Sequence, residues 1–187
     1  MTAIEINRAN VGRIAERIVA NELEARGFRV TDLNREGIAA NADLLAAKAG
    51  RTLQVQVKGA TWDLGWWFNY GFCDDAMIRD SQRPVFNRVS GFYRAEVVVL
   101  VCVNNLLDYV CIVLPLADAE KAAQLNLDLF RMPKRDGSAK RPGKMWCNLD
   151  YLPKTKSEQR KAILIEEQRI IQRHRDRWDI FEGPAAS

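Results

Sequence analysis

An α/β fold, with a mixed central sheet flanked by helices, is what three features of this chain predict. Val11, Ile14, Ala15, Ile18 and Leu23 form a 3.6-period apolar stripe, so Asn10 to Arg26 reads as an amphipathic helix. Short runs that alternate apolar and polar residues follow it, as half-buried strands do. Further on, Ala95 to Val103 is almost wholly apolar and β-branched, the pattern of a strand covered on both faces. The order is helix, three strands, an insertion, two strands and a charged terminal helix, which fits a single domain built in layers.

Each element has its own justification. Asn10 is placed to cap the first helix and Gly27 to stop it. Phe28 to Leu33 alternates as a strand, and Asn34 to Asn41 is a polar loop containing glycine. Ala42 to Ala47 and Arg51 to Ala60 make a hairpin around Lys48-Ala49-Gly50. Thr61 to Arg94 is aromatic and irregular, with Trp62, Trp66, Trp67, Phe68, Tyr70 and Phe72 close together and a short helix expected within Asp74 to Arg83. The aromatic cluster suits base stacking, and equally a satellite core or an oligomer contact.

Asp108 to Leu116 reads as the next strand and Asp118 to Leu125 as a short helix. Pro133 to Pro142 is a basic, turn-rich loop. Thr155-Lys156-Ser157-Glu158 has the form of a capping box, and its helix is expected to run to about Trp178, leaving Gly183 to Ser187 as a frayed end. The expected organisation is one domain over 1–187: a core over 10–125 with an aromatic insertion at 61–94, a basic loop region at 126–154 and a C-terminal helix over 155–178.

Composition narrows the function classes. The chain has 187 residues, 48% of them apolar, enough to bury one core. Its longest apolar run, Val97 to Val103, is strand length and far short of a membrane span. Thr2, Glu5 and Arg8 interrupt the N-terminus, so no signal core is read there and a cytoplasmic location is expected. Cys73, Cys102, Cys111 and Cys147 are widely spaced, without a C-x-x-C pair, and read as reduced thiols. Although the net charge is only +4, Arg131 to Arg177 holds 14 Lys/Arg against 6 Asp/Glu. Such a segment is either a polyanion-binding side or a solvated basic face.

His174 is the sole histidine, which argues against His-dependent catalysis and a His-rich zinc site. Spaced four residues from Ile170 and from Trp178, it reads as a packing residue or as charge at a helix C-terminus. No phosphate-binding glycine loop of the common nucleotide folds is present.

The chemistry concentrates in Leu53-Gln54-Val55-Gln56-Val57-Lys58-Gly59. Leu53, Val55 and Val57 would face a core, leaving Gln54, Gln56 and Lys58 on the other face. Asp43 lies a short hairpin upstream. A carboxylate, a neutral amide oxygen and the Val57 carbonyl are hard ligands of the kind Mg²⁺ prefers, and Lys58 could orient a water or offset phosphate charge. Glu16 sits on the first helix in a small-residue strip with Gly12 and Ala20. It either approaches the sheet or faces solvent beside Arg13 or Arg17.

Glu16 on a first helix, Asp43 on a strand and Gln56-Val57-Lys58 on the next together resemble the PD-(D/E)XK nuclease superfamily, whose members share a restriction-endonuclease-like α-β-β-β-α-β core. The resemblance covers roughly Asn10 to Ala60, plus Val97 to Val103 as a later core strand, and the Gly27-Phe28 transition is similar to that of Holliday-junction resolvases. It implies a Mg²⁺- or Mn²⁺-dependent endonuclease. Asp43 and Gln56 match the family's metal ligands, Glu16 matches its helical acid, and Lys58 matches the catalytic lysine. Two departures stand out: Ala42 replaces the usual proline, and Gln56 replaces an acid, leaving the site one negative charge poorer. DNA is the expected substrate, with Lys134, Arg135, Lys140, Arg141 and Lys144 on its phosphates, and a homodimer is expected from the two-strand cutting of related enzymes. An inactive nucleic-acid-binding or assembly module and an RNA-cleaving nuclease are the alternatives.

Overall fold

Helix α1 (Val11–Ala25) buries Val11, Ala15, Ile18, Val19 and Leu23, the stripe expected of it. The computed structural model describes residues 10–34, 42–61, 67–72, 95–105, 108–131, 144–148 and 157–183, giving only the backbone at 67–72, 130–131 and 144–148. Asn10 makes no side-chain cap. Its backbone is itself near-helical, φ −102° and ψ −2°, rather than extended, so its side chain does not turn back onto the first turn. At the other end Gly27 adopts φ +81°. Its N–H donates to Glu24 O at 2.9 Å and that of Phe28 to Leu23 O at 3.0 Å, the paired bonds of a Schellman stop.

The main sheet has five strands in the order β1-β2-β3-β5-β6. Strands β1 (Arg29–Asp32), β2 (Leu44–Lys48) and β3 (Arg51–Thr61) form an antiparallel meander. The β2–β3 turn is the pair Ala49-Gly50, both at positive φ, as a two-residue hairpin requires. β3 then pairs in parallel with β5 (Val97–Asn105), and β5 antiparallel with β6 (Asp108–Pro115).

Both faces of this sheet are covered. Val97, Val99, Val101 and Val103 of β5 pack on the α1 side, while Val98, Leu100 and Cys102 pack on the side of α2 (Leu116–Arg131) and α3 (Glu158–Gln172). The all-apolar run is therefore doubly buried, as its sequence requires. The same two-sided cover corrects the reading of β3 as half-buried, because Gln56, on its polar face, is only 3% exposed. Helix α2 is longer than Asp118 to Leu125, since Ala119, Ala122, Ala123 and Leu127 carry its buried stripe past that range.

A second, two-stranded sheet is the largest departure. Strand β4 (Trp67–Phe72) pairs antiparallel with β7 (Lys144–Asn148), drawn from segments read as an irregular aromatic insertion and a basic loop. Aromatic residues favour strands, but neither run alternates cleanly enough to declare one. The expected short helix within 74–83 and the loop at 133–142 lie outside the described residues.

Helix α3 is capped by Ser157, whose Oγ accepts from Arg160 N at 3.4 Å. It ends at Gln172 rather than near Trp178. Asp176, at φ +53°, helps turn the chain, and Arg175 bridges to Ile112 on the free side of β6. Val113 N donates to His174 O at 2.9 Å and Asp176 N to Cys111 O at 2.8 Å. The chain thus rounds the sheet edge, and a 3₁₀ turn (Trp178–Phe181) delivers Trp178 and Phe181 to the α1-side core. A continuous helix would have held them on the other face.

Candidate functional site

The site lies where β2 leaves β3. Leu44 opposite Val55 is the last β2–β3 pair, yet β3 continues to Thr61 along β5. Asp43 stands just before β2 rather than within it. Its N–H donates to Val55 O and its C=O accepts from Leu33 N, both at 3.0 Å, so β3 and the end of β1 fix its backbone from two sides. Among the described residues no strand pairs with the β2-facing edge of β3 beyond Val55, and the Asp43 side chain takes that place. Its Oδ2 accepts from Val57 N at 2.7 Å and from Gln56 Nε2. In a strand the C=O of a residue shares the direction of its N–H, so the Val57 carbonyl opens on the same edge.

Helix α1 brings the second carboxylate. A Cβ on Gly59 would lie 2.8 Å from Val11 O and 3.0 Å from Ala15 Cβ, so only glycine lets the helix sit this close to β3. Glu16 is thereby held at the fork, where Asn34 Nδ2 donates to Glu16 Oε1 at 3.3 Å and to Asp43 Oδ1 at 3.2 Å. Burial pushes the Glu16 carboxyl above its ordinary range and the charges of Asp43 and Asp32 add to this, while Asn34 and Arg13 oppose them. Burial also lowers the Lys58 ammonium, against the pull of Asp43. Lys58 is half-buried, on the same strand face as Gln56.

Gln56 adds a buried acceptor to the fork. Its amide nitrogen is spent on Asp43, and its Oε1 is buried without a hydrogen-bond partner among the described residues. Buried acceptors normally have partners. Two carboxylates, that amide oxygen and the Val57 carbonyl are the hard-oxygen donors that Mg²⁺ or Mn²⁺ would fit. Among the described residues no three of His, Cys, Asp or Glu gather at one point, so a cation here would lean on neutral oxygens and water.

No protein-family model and no curated protein sequence matches the chain. Among solved structures the chain is similar to the bacterial homing endonuclease I-Ssp6803I, at 15% identity and a TM-score of 0.38, over 90% of this chain and 94% of that one. A likeness at that score carries no weight for the chemistry, which stands on the side chains at the fork.

Glu16, Asp43, Gln56, Val57 and Lys58 are thus brought together, and Glu16 bonds to Asn34 while the charge of Arg13 also acts on it. Asn34 and Asp32 are additions that the sequence did not single out. Antiparallel pairing of Asp32 with Leu44 carries the chain from β1 past Asp43, which is the signal that could have found them.

Of the expected phosphate contacts, Lys144 opens β7, while Lys134, Arg135, Lys140 and Arg141 lie outside the described residues. His174 is buried with Nε2 2.7 Å from Asp118 Oδ2, tying the end of α3 to the first turn of α2. Cys102 and Cys111 are buried and outside any disulfide, and burial raises the Cys111 thiol pKa, so Cys111 is not poised to react. An open cavity of about 450 Å³ lies by Arg51, Glu96, Pro115 and Asp179, at the start of β3 and β5 and away from Lys58. Arg51 there already donates to Phe181 O at 3.3 Å. No helix among the described residues is long and apolar enough to cross a membrane.

Proposed function

We propose that this chain is a divalent-metal-dependent endonuclease that hydrolyses nucleic-acid phosphodiester bonds, with DNA as its substrate. The observation that carries this reading is the buried Oε1 of Gln56 beside Asp43, without a partner among the described residues, on the strand that also bears Lys58. Asp43, Glu16, Gln56 and the Val57 carbonyl would hold Mg²⁺ or Mn²⁺. Once bound, such an ion polarises the phosphoryl oxygen and lowers the pKa of a water. The backbone hydrogen bonds of Asp43 fix its carboxylate before any substrate arrives. Lys58 holds its charge in a partly desolvated position, where it counts for more against negative charge building on the phosphate. The basic stretch from Arg131 to Arg177 would supply phosphate contacts, which position a nucleic acid without reading its sequence.

One observation favours a second reading, a nucleic-acid-binding module without turnover. Both Asp43 carboxylate oxygens already accept hydrogen bonds, and Gln56 brings no charge of its own. Purified protein incubated with plasmid, single-stranded DNA and RNA, in Mg²⁺, Mn²⁺ or EDTA, separates the two. Metal-dependent cleavage is expected, falling about 100-fold or more in Asp43→Ala and in Lys58→Ala. Cleavage that persists in both variants contradicts the assignment. Salt-dependent binding without cleavage supports the module, and cleavage of RNA alone changes the substrate but not the site.

A further inference from the structure

We propose that Asn34 is a positioning residue of the cation site, holding the helix-borne Glu16 against the sheet-borne Asp43 so that both carboxylates are in place before an ion arrives. The inference rests on the metal-dependent reading above and adds to it a residue from a third element. Glu16 and Asp43 belong to separate parts of the chain, and their charges repel across the fork. Left to itself, a partly buried glutamate beside an aspartate relaxes toward solvent, here toward Arg13. One amide nitrogen prevents this by donating to Glu16 Oε1 at 3.3 Å and to Asp43 Oδ1 at 3.2 Å.

Glu16 and Asp43 are the two carboxylates that would hold the cation, and Nδ2 offsets their repulsion where they meet. The fork is more than an acidic pair: Gln56 is only 3% exposed, its amide reaches Asp43, and its Oε1 lacks a partner among the described residues. The Asn34 bonds leave each carboxylate oxygen a further lone pair for an ion, so Asn34 keeps its hold on Glu16 with and without the ion. What Asn34 contributes is the geometry of Glu16, in the manner of an outer residue that orients a metal ligand.

The experiment is Mn²⁺ binding by isothermal titration calorimetry to the full chain, to Asn34→Ala, to Glu16→Gln and to the double variant, with Asp43→Ala as the control. Asn34 is exposed, so its replacement leaves the fold intact, which thermal melts in EDTA verify. Asn34→Ala is expected to weaken Mn²⁺ binding by about tenfold. The same change in the Glu16→Gln background is expected to weaken it little further, because Asn34 acts through Glu16. Unchanged or tighter binding in Asn34→Ala overturns the inference, and so does an equal loss whether or not Glu16 is present. In those cases Mn²⁺ binding that still depends on Asp43 leaves the metal site standing. Absence of Mn²⁺ binding in the unaltered protein overturns both.

Discussion

Gln56 is the residue at which structure and chemistry pull in different directions. A strand interior two positions from a lysine would ordinarily be apolar on a face this buried, yet here it holds an amide whose oxygen has no partner among the described residues. Replacing it with glutamate adds a third carboxylate to the fork, against Asp43 in a desolvated position. Gln56→Glu is therefore expected to lose about 1–3 kcal/mol of stability in EDTA and to regain it in excess Mn²⁺, measured by urea unfolding under both conditions. Equal losses with and without the ion would argue that no cation binds there. Asp43, Gln56 and Lys58 were legible in the sequence because period-two alternation and a short hairpin set their faces and spacing. Asn34 was not, because its role depends on which residue of β2 each residue of β1 meets, and loop composition does not encode that register.

At the scale of elements, the seating of α1 on β3 decides whether Glu16 reaches the fork. Gly59 makes that seat, since the atom nearest an added Cβ is a backbone oxygen that cannot move aside. Gly59→Ala is expected to cost about 1–3 kcal/mol and to weaken Mn²⁺ binding as well, because any shift of α1 carries Glu16 with it. Unfolding and calorimetry on one preparation check this, and a change in neither would remove the close approach from the account. Periodic elements were read well: α1, β1 to β3, β5 and β6 fall within a few residues of the expected bounds. The exceptions have physical causes. β4 and β7 find each other across more than seventy residues, a pairing that local pattern cannot announce. Helix α3 stops at Gln172 because Ile112 and Val113 offer a free strand edge and the α1-side core has room for Trp178 and Phe181.

For the whole molecule, the two faces of the sheet divide the work. The α1 face carries the helix that positions Glu16, the opposite face carries Gln56 and Lys58 in register with Val98 and Leu100, and the α2–α3 helix pair adds one costly feature. Glu167 is fully buried, its Oε1 accepting from Asn126 Nδ2 at 3.2 Å. Burial pushes its carboxyl from 4.5 up to about 8, with the Asn126 hydrogen bond opposing. The folded state therefore keeps a proton that the unfolded chain releases, and stability falls as pH rises from about 4.5 to about 8, levelling off above. Glu167→Gln should remove this slope, and its advantage over the unaltered protein should grow through that window to at least about 1 kcal/mol at pH 8. Parallel stability curves would mean that Glu167 is ionised in the fold. The central claim, that the fork between β2 and β3 is a cation site, is tested most directly by the anomalous difference map of a crystal soaked in Mn²⁺. A peak is expected within ligand distance of Asp43 and of Gln56 Oε1, with Glu16 turned toward it. A map without a peak at the fork, with Gln56 Nε2 still on Asp43, would contradict the claim.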